Sequence, residues 1–141
     1  MRKIYSTNLN LPSIDAGLLV LRVGVAAFML THGVPKLLNL FGSEEIAFAD
    51  PLGLGATTSL LLSTFAEFIC SILILFGLGT RLAAIVLIFN MAVAFFIFHA
   101  QDPFKGKELA GVFLLIYIVI LITGAGKYAL DYYWLKRTKH S

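Results

Sequence analysis

TTSLLLSTFAEFICSILILFGL, residues Thr57 to Leu78, is apolar enough and long enough to cross a membrane, yet it carries an acid, Glu67, near its middle. A charge at the bilayer centre costs about 2.5 to 3.5 kcal/mol on insertion scales, so such a residue usually pairs with another charge or lines a functional cavity. Upstream, the run Ile14 to Thr31 holds a second intramembrane charge, Arg22. Downstream lie two more apolar runs, Leu82 to Phe98 and Ala110 to Thr123. With flanking residues these predict spans at about 14–32, 57–78, 82–99 and 109–124. The fold class is therefore all-α: a single integral membrane four-helix bundle.

Composition agrees. Of 141 residues 59% are hydrophobic and 13% charged, with a mean hydropathy of +0.89, whereas soluble domains carry about 25% charged residues. Four spans and their loops use nearly the whole length, which leaves no room for a soluble catalytic module. The formal charge of +3 comes largely from Arg2, Lys3, Lys127, Lys136, Arg137 and Lys139 near the ends. That is an orientation signal and no nucleic-acid footprint. Four spans put both termini on one side with the GLGTRL turn and its Arg81, while Lys36, Lys105 and Lys107 lie on the other. The positive-inside rule then places both termini in the cytoplasm, in a bacterial cytoplasmic (inner) membrane. Arg2 and Lys3 precede an apolar run as in a signal peptide, but that run contains Arg22 and no small-residue cleavage site follows, so it is a retained first span. The connection His32 to Ala56 is external, with a short interfacial helix at PKLLNLF and a Pro/Gly loop after it. Tyr128, Tyr132, Tyr133 and Trp134 follow the last span as an interfacial aromatic belt.

Topology then gathers candidate site residues. His32 and Lys36 end the first span on the outer side, His99 ends the third, and Glu108 begins the fourth. These four form a candidate ligand or proton-exchange site, provided that Pro35 lets the first helix continue. Deeper, Arg22 and Glu67 are expected to pair and neutralise one another, either as a structural ion pair or as part of a site. Ser63, Glu67 and Ser71 recur every four residues, so they share a stripe facing the bundle interior, with Cys70 beside it. Cys70 is the only cysteine, which excludes an intramolecular dithiol relay. Histidine and glutamate are proper metal ligands, but no HxxxH or ExxH spacing supports a metal, and none is expected. Asn90 lies half a helical turn from both Arg81 and His99 and is assigned to helix contact, as are the small residues Gly17, Gly24, Ala83, Ala84, Ala92 and Ala94.

In order and spacing, LR at Leu21 and Arg22, HGVPKL from His32, AEF around Glu67, GLGTRLAA from Gly77 to Ala84, His99, Glu108 and GAGKYALD from Gly124 to Asp131 resemble the DoxX family of small four-span membrane proteins. The family's usual ending resembles GxGxxSLD; Ala129 stands here in place of the serine. The resemblance implies a four-helix bundle associated with quinone-linked thiol or sulfur oxidation. On that basis the chain is expected to be an accessory or quinone-facing subunit of a membrane oxidoreductase system. It would have no intrinsic cofactor, and its companions would be lipid, quinone and a partner membrane protein that supplies electrons. The alternative is a non-enzymatic assembly factor or chaperone for a partner membrane protein. A solute or proton carrier ranks last, since no inverted repeat or broken helix pair is present. These readings divide over whether the chain turns over a substrate at all.

Overall fold

A computed structural model describes residues 10–42 and 45–138; of the terminal charges, Arg2, Lys3 and Lys139 lie outside them. Helix α1 runs from Leu11 to Leu40 and α2 from Ala56 to Phe76. Helix α3 spans Thr80 to Phe98 and α4 spans Phe104 to Thr123. All four are long and apolar enough to cross a membrane. A short fifth helix, α5, covers Leu130–Thr138. Helix α1 packs along α2, α3 packs against α4, and α3 also meets the middle of α2 while α1 touches α4. The ends of the bundle differ: one carries both termini, the other the long 41–55 connection.

Helix α1 is longer than its apolar run at both ends. Pro12 suits its first turn, where a missing N–H costs nothing. Pro35 lies inside it without ending it. PKLLNL is therefore the last turns of α1 and not a separate interfacial helix, and α4 likewise starts at Phe104, several residues before the expected edge. Arg22, Ala26, Met29 and Gly33 form the buried stripe of α1 at helical spacing. They meet Ala66, Cys70 and Ile74 of α2, Ala84, Leu87 and Met91 of α3, and Phe113, Tyr117 and Ile120 of α4. Without a hydrophobic force between helices in lipid, close backbone approach holds such a bundle, and buried Ala83 and Ala84 serve that here. Gly17 and Gly24 have open space where a side chain would stand, so the expected small-residue contact falls elsewhere, at Gly33. Large apolar side chains such as Val20, Phe28, Leu82, Leu115 and Ile122 point outward, as lipid-facing residues do.

Two stretches widen from α to π geometry: Phe65–Cys70 in α2 and Ala94–Phe98 in α3. Single π turns of this kind occur frequently at functional sites. Both border the same space, described below.

The termini end is closed by a clasp. Gly77 ends α2 in the left-handed conformation at φ 69°, and Gly79, at φ 57°, precedes α3. The Asp131 carboxylate accepts the Gly79 and Thr80 N–H groups at 2.7 and 2.9 Å, capping α3 from a distant part of the chain. In return the Asp131 N–H donates to the Gly77 carbonyl at 2.8 Å. Asp15 accepts the Lys127 N–H at 3.0 Å, which ties the start of α1 to the same knot.

Candidate functional site

Between the helices at the loop end lies a cavity of about 560 Å³. Its polar lining is His32, Lys36, Ser59, Ser63, Glu67, Asn90 and His99, and its walls are mostly apolar, with Phe65, Phe89, Phe98 and Phe113 among them. Phe48 and Leu52 of the 41–55 connection close one side.

Glu67 is its deepest charge, 4% exposed, in the π turn of α2. Its Oε1 gathers three donors: Lys36 Nζ at 2.5 Å, Asn90 Nδ2 at 2.9 Å and the Ser63 hydroxyl at 3.2 Å. Lys36 Nζ also donates to Ser63 Oγ at 2.9 Å and lies over the Phe48 ring, 5.6 Å from its centroid. Three helices thus meet at one carboxylate oxygen. The other oxygen, Oε2, is buried and has no partner among the described residues. Such an atom calls for an explanation, because buried polar groups are nearly always satisfied.

The expected pairing of Arg22 with Glu67 is not made, and the reason is helix register. Gly33 of α1 is level with Glu67, since a Cβ there would stand 2.6 Å from the Glu67 carbonyl. Arg22, eleven residues earlier on α1, is about 16 Å away along the axis at 1.5 Å per residue. Side chains on a helix lean toward its N-terminus, so the Arg22 arm leans further away while Lys36, one turn beyond Gly33, leans back onto Glu67. The fully buried guanidinium of Arg22 belongs to the clasp: Nη2 donates to the Tyr128 carbonyl at 2.5 Å, and Nη1 lies beside Gly77. Asp131 supplies the nearby negative charge.

Of the outer cluster, His32, Lys36 and His99 reach the cavity, whereas Glu108 is exposed and not part of its lining. Because α4 starts at Phe104, Glu108 is already in its second turn, on the outward face. His32 meets the edge of Phe113, ring centroids 6.1 Å apart. His99 Nδ1 is 2.6 Å from Asp102 Oδ2, which fixes that ring nitrogen. The Ser63, Glu67, Ser71 stripe faces inward together with Cys70, all four buried.

Asn90, which periodicity assigned to helix contact, is instead a direct partner of Glu67. Its signal was its type: an amide in a membrane-depth apolar run is a functional candidate on cost alone. Tyr117 was also missed. It is fully buried, stacks on Phe113 at 6.2 Å, and lies against Ser71 within electrostatic reach of Glu67.

Outside the spans, Asp50 shapes the rim. It accepts the Ser59 hydroxyl at 2.7 Å and the Leu54 and Gly55 N–H groups at 2.8 Å each, joining the 41–55 connection to the start of α2. These bonds, the Ser59 hydroxyl foremost, hold its carboxyl below the usual range.

Comparison with known proteins agrees with this architecture. The sequence model of the DoxX family matches residues 17–100. An uncharacterized protein of Haemophilus influenzae is 32% identical over 124 residues, covering 83% of this chain and 90% of the relative. A Bacillus subtilis protein named "Putative oxidoreductase CatD" is 29% identical over 129 residues, covering 91% and 94%. No solved structure matches the chain. A family match over more than half the chain, together with four apolar spans, makes this protein a membrane-spanning member of the DoxX family.

Proposed function

We propose that the cavity receives the head group of a quinone, and that the chain serves as the quinone-facing accessory subunit of a membrane oxidoreductase system. The observation that carries this reading is the lining itself. An aromatic, lipid-depth pocket of small-molecule size ends in one half-buried cation, Lys36, held by Glu67 and Ser63, with His32 and His99 nearer the loops. The donor set fits a quinone: Lys36 is the movable donor for a carbonyl oxygen, its side chain still 25% exposed, and the two imidazoles supply further donors and exchangeable protons. Phe65, Phe89 and Phe113 offer faces and edges for a flat ring. A bound quinone would supply two-electron, two-proton chemistry, with electrons from a partner protein that oxidises thiols or sulfur compounds.

The oxidoreductase name of the Bacillus relative points the same way. The proposed setting is the bacterial inner membrane with both termini cytoplasmic, so the cavity lies in the outer half of the bilayer. The test is to extract lipids from protein purified out of native membranes and to titrate the delipidated protein with a short-chain quinone. The reading expects a co-purifying quinone and saturable binding that is lost in His32→Ala/His99→Ala. Loss of a specific membrane protein on deletion of this chain, with no quinone bound, would transfer the argument to the assembly-factor reading.

A further inference from the structure

The carboxylate of Glu67 is served on one side only. All three donors converge on Oε1, while Oε2 is buried without a partner. Two more buried groups have polar atoms without a partner among the described residues, the hydroxyls of Ser71 and Tyr117. Ser71 follows Glu67 by one turn on the same buried stripe, and Tyr117 comes from α4 to lie against Ser71. A hydroxyl can donate to a carboxylate and, by rotating, accept from a carboxylic acid. Two hydroxyls on this side of the bundle are therefore suited to both protonation states of a carboxyl group, whereas backbone N–H groups would favour the anion alone.

The front of the same carboxylate depends on Lys36. Among the groups facing Glu67, α1 brings Lys36 and, further along the cavity wall, His32; α3 brings the neutral Asn90 and, nearer the rim, His99; α4 brings Tyr117; and α2 itself brings Ser63, Cys70 and Ser71. Among the described residues Lys36 is the one cation within ion-pair distance. Its ammonium is also the donor that a ligand carbonyl in the cavity would draw on. A carboxylate stripped of its cation in an apolar wall is neutralised by a proton more readily than it carries a bare charge.

We propose that Glu67 is the proton-loading group of this site: a carbonyl-bearing ligand takes the Lys36 ammonium away from Glu67, and the carboxylate binds one proton from the loop side, its new O–H held by Ser71 and Tyr117. The inference rests on the quinone reading of the cavity. Charge balances, because the ammonium stays positive on the ligand oxygen and the carboxylate becomes a neutral acid. No electron transfer is involved.

The test has one arm with ligand and one without. Calorimetric titration of the wild-type protein in detergent with a short-chain benzoquinone, at one pH in buffers of different ionisation enthalpy, should give uptake of about one proton per ligand bound. In Glu67→Gln, which imitates the protonated acid, whatever binding is measured should proceed without the proton uptake. Uptake that persists in Glu67→Gln, or ligand binding with no uptake in the wild type, overturns the proposal. In the ligand-free arm, Lys36→Met imitates removal of the ammonium. Its infrared spectrum at neutral pH should gain a protonated-carboxyl C=O band that is absent from Lys36→Met/Glu67→Gln and shifted in Lys36→Met/Tyr117→Phe. A folded Lys36→Met without that band overturns the proposal. If the band appears but benzoquinone does not bind, the quinone reading fails and the proton-loading role of Glu67 stands.

Discussion

Gly33 of α1 and Glu67 of α2 touch backbone to backbone: a methyl group on Gly33 would stand 2.6 Å from both the carbonyl carbon and the carbonyl oxygen of Glu67. This contact sets the register between the first two helices and so selects which α1 cation meets the acid. Gly33→Ala should therefore force α1 away from the π turn and cost about 1 to 3 kcal/mol, as overpacking does. Thermal unfolding in detergent should show the loss, and quinone binding should weaken in the protein that remains folded. Unchanged stability would mean that the two helices are not in this register.

The pairing itself is open to a thermodynamic cycle. Lys36→Met and Glu67→Gln should each destabilise, and the double replacement should recover part of the sum, because each single change leaves the other charge behind. Lys36→Met should cost more, since the Glu67 side chain is 5% exposed while Lys36, at 25%, can turn to water. Arg22→Gln with Glu67→Gln should instead be additive within about 0.5 kcal/mol, as for residues without shared partners. Coupling in the second cycle and none in the first would restore the Arg22 partnership.

At the termini end, Ala129→Ser should stabilise the protein. A Cβ placed on Gly77 would collide with both Ala129 and Arg22 Nη1, so these two crowd one spot, and Nη1 has no partner among the described residues. A hydroxyl at Ala129 gives it an acceptor, with a gain on the order of 1 kcal/mol. A higher melting temperature in detergent would bear this out, and a lower one would show that the clasp has no space for the oxygen.

Asp50 makes the rim sensitive to acid. Its carboxyl is held below its ordinary value of about 3.9, so its contribution is present above that pH and is lost as the pH falls through the lower, folded value. Exchange of the Leu54 and Gly55 amides, corrected for the intrinsic pH dependence, should accelerate below about pH 4 in the wild type. Asp50→Asn should show faster exchange at neutral pH and no such acid transition.

Orientation follows from charge. An impermeant thiol reagent should label Leu54→Cys in intact cells and Lys127→Cys only after lysis, with Cys70 silent because it is buried. The reverse pattern would turn the cavity toward the cytoplasm.

The span count was legible because length and apolar content suffice for it, and the inward stripe of Ser63, Glu67 and Ser71 because polar residues recurring every four positions share one helix face. Pairing was not legible, because it depends on where α1 starts and stops, and Pro35 neither ended the helix nor marked the end of its useful face. Asn90 was misplaced for a different reason. An α period carried from Asn90 to His99 puts them on opposite faces, but the chain passes through the π turn Ala94–Phe98 on the way. A wider turn holds more residues, so the phase slips and both residues line the cavity. No feature of AFFIF announces that slip. Glu108 failed through the opposite error, an α4 edge set too late.

Closure at the termini end makes the molecule a cup, not a conduit. Beneath Glu67, Cys70, Ile74, Tyr117 and Ile120 plug the axis with at most 1% exposure each, and the knot of Arg22, Gly77 and Asp131 seals the base. Whatever occupies the cup must leave by the rim or sideways into lipid. Entry and exit thus share one end and one flank of the bundle, so an occupant and its replacement compete for the same opening.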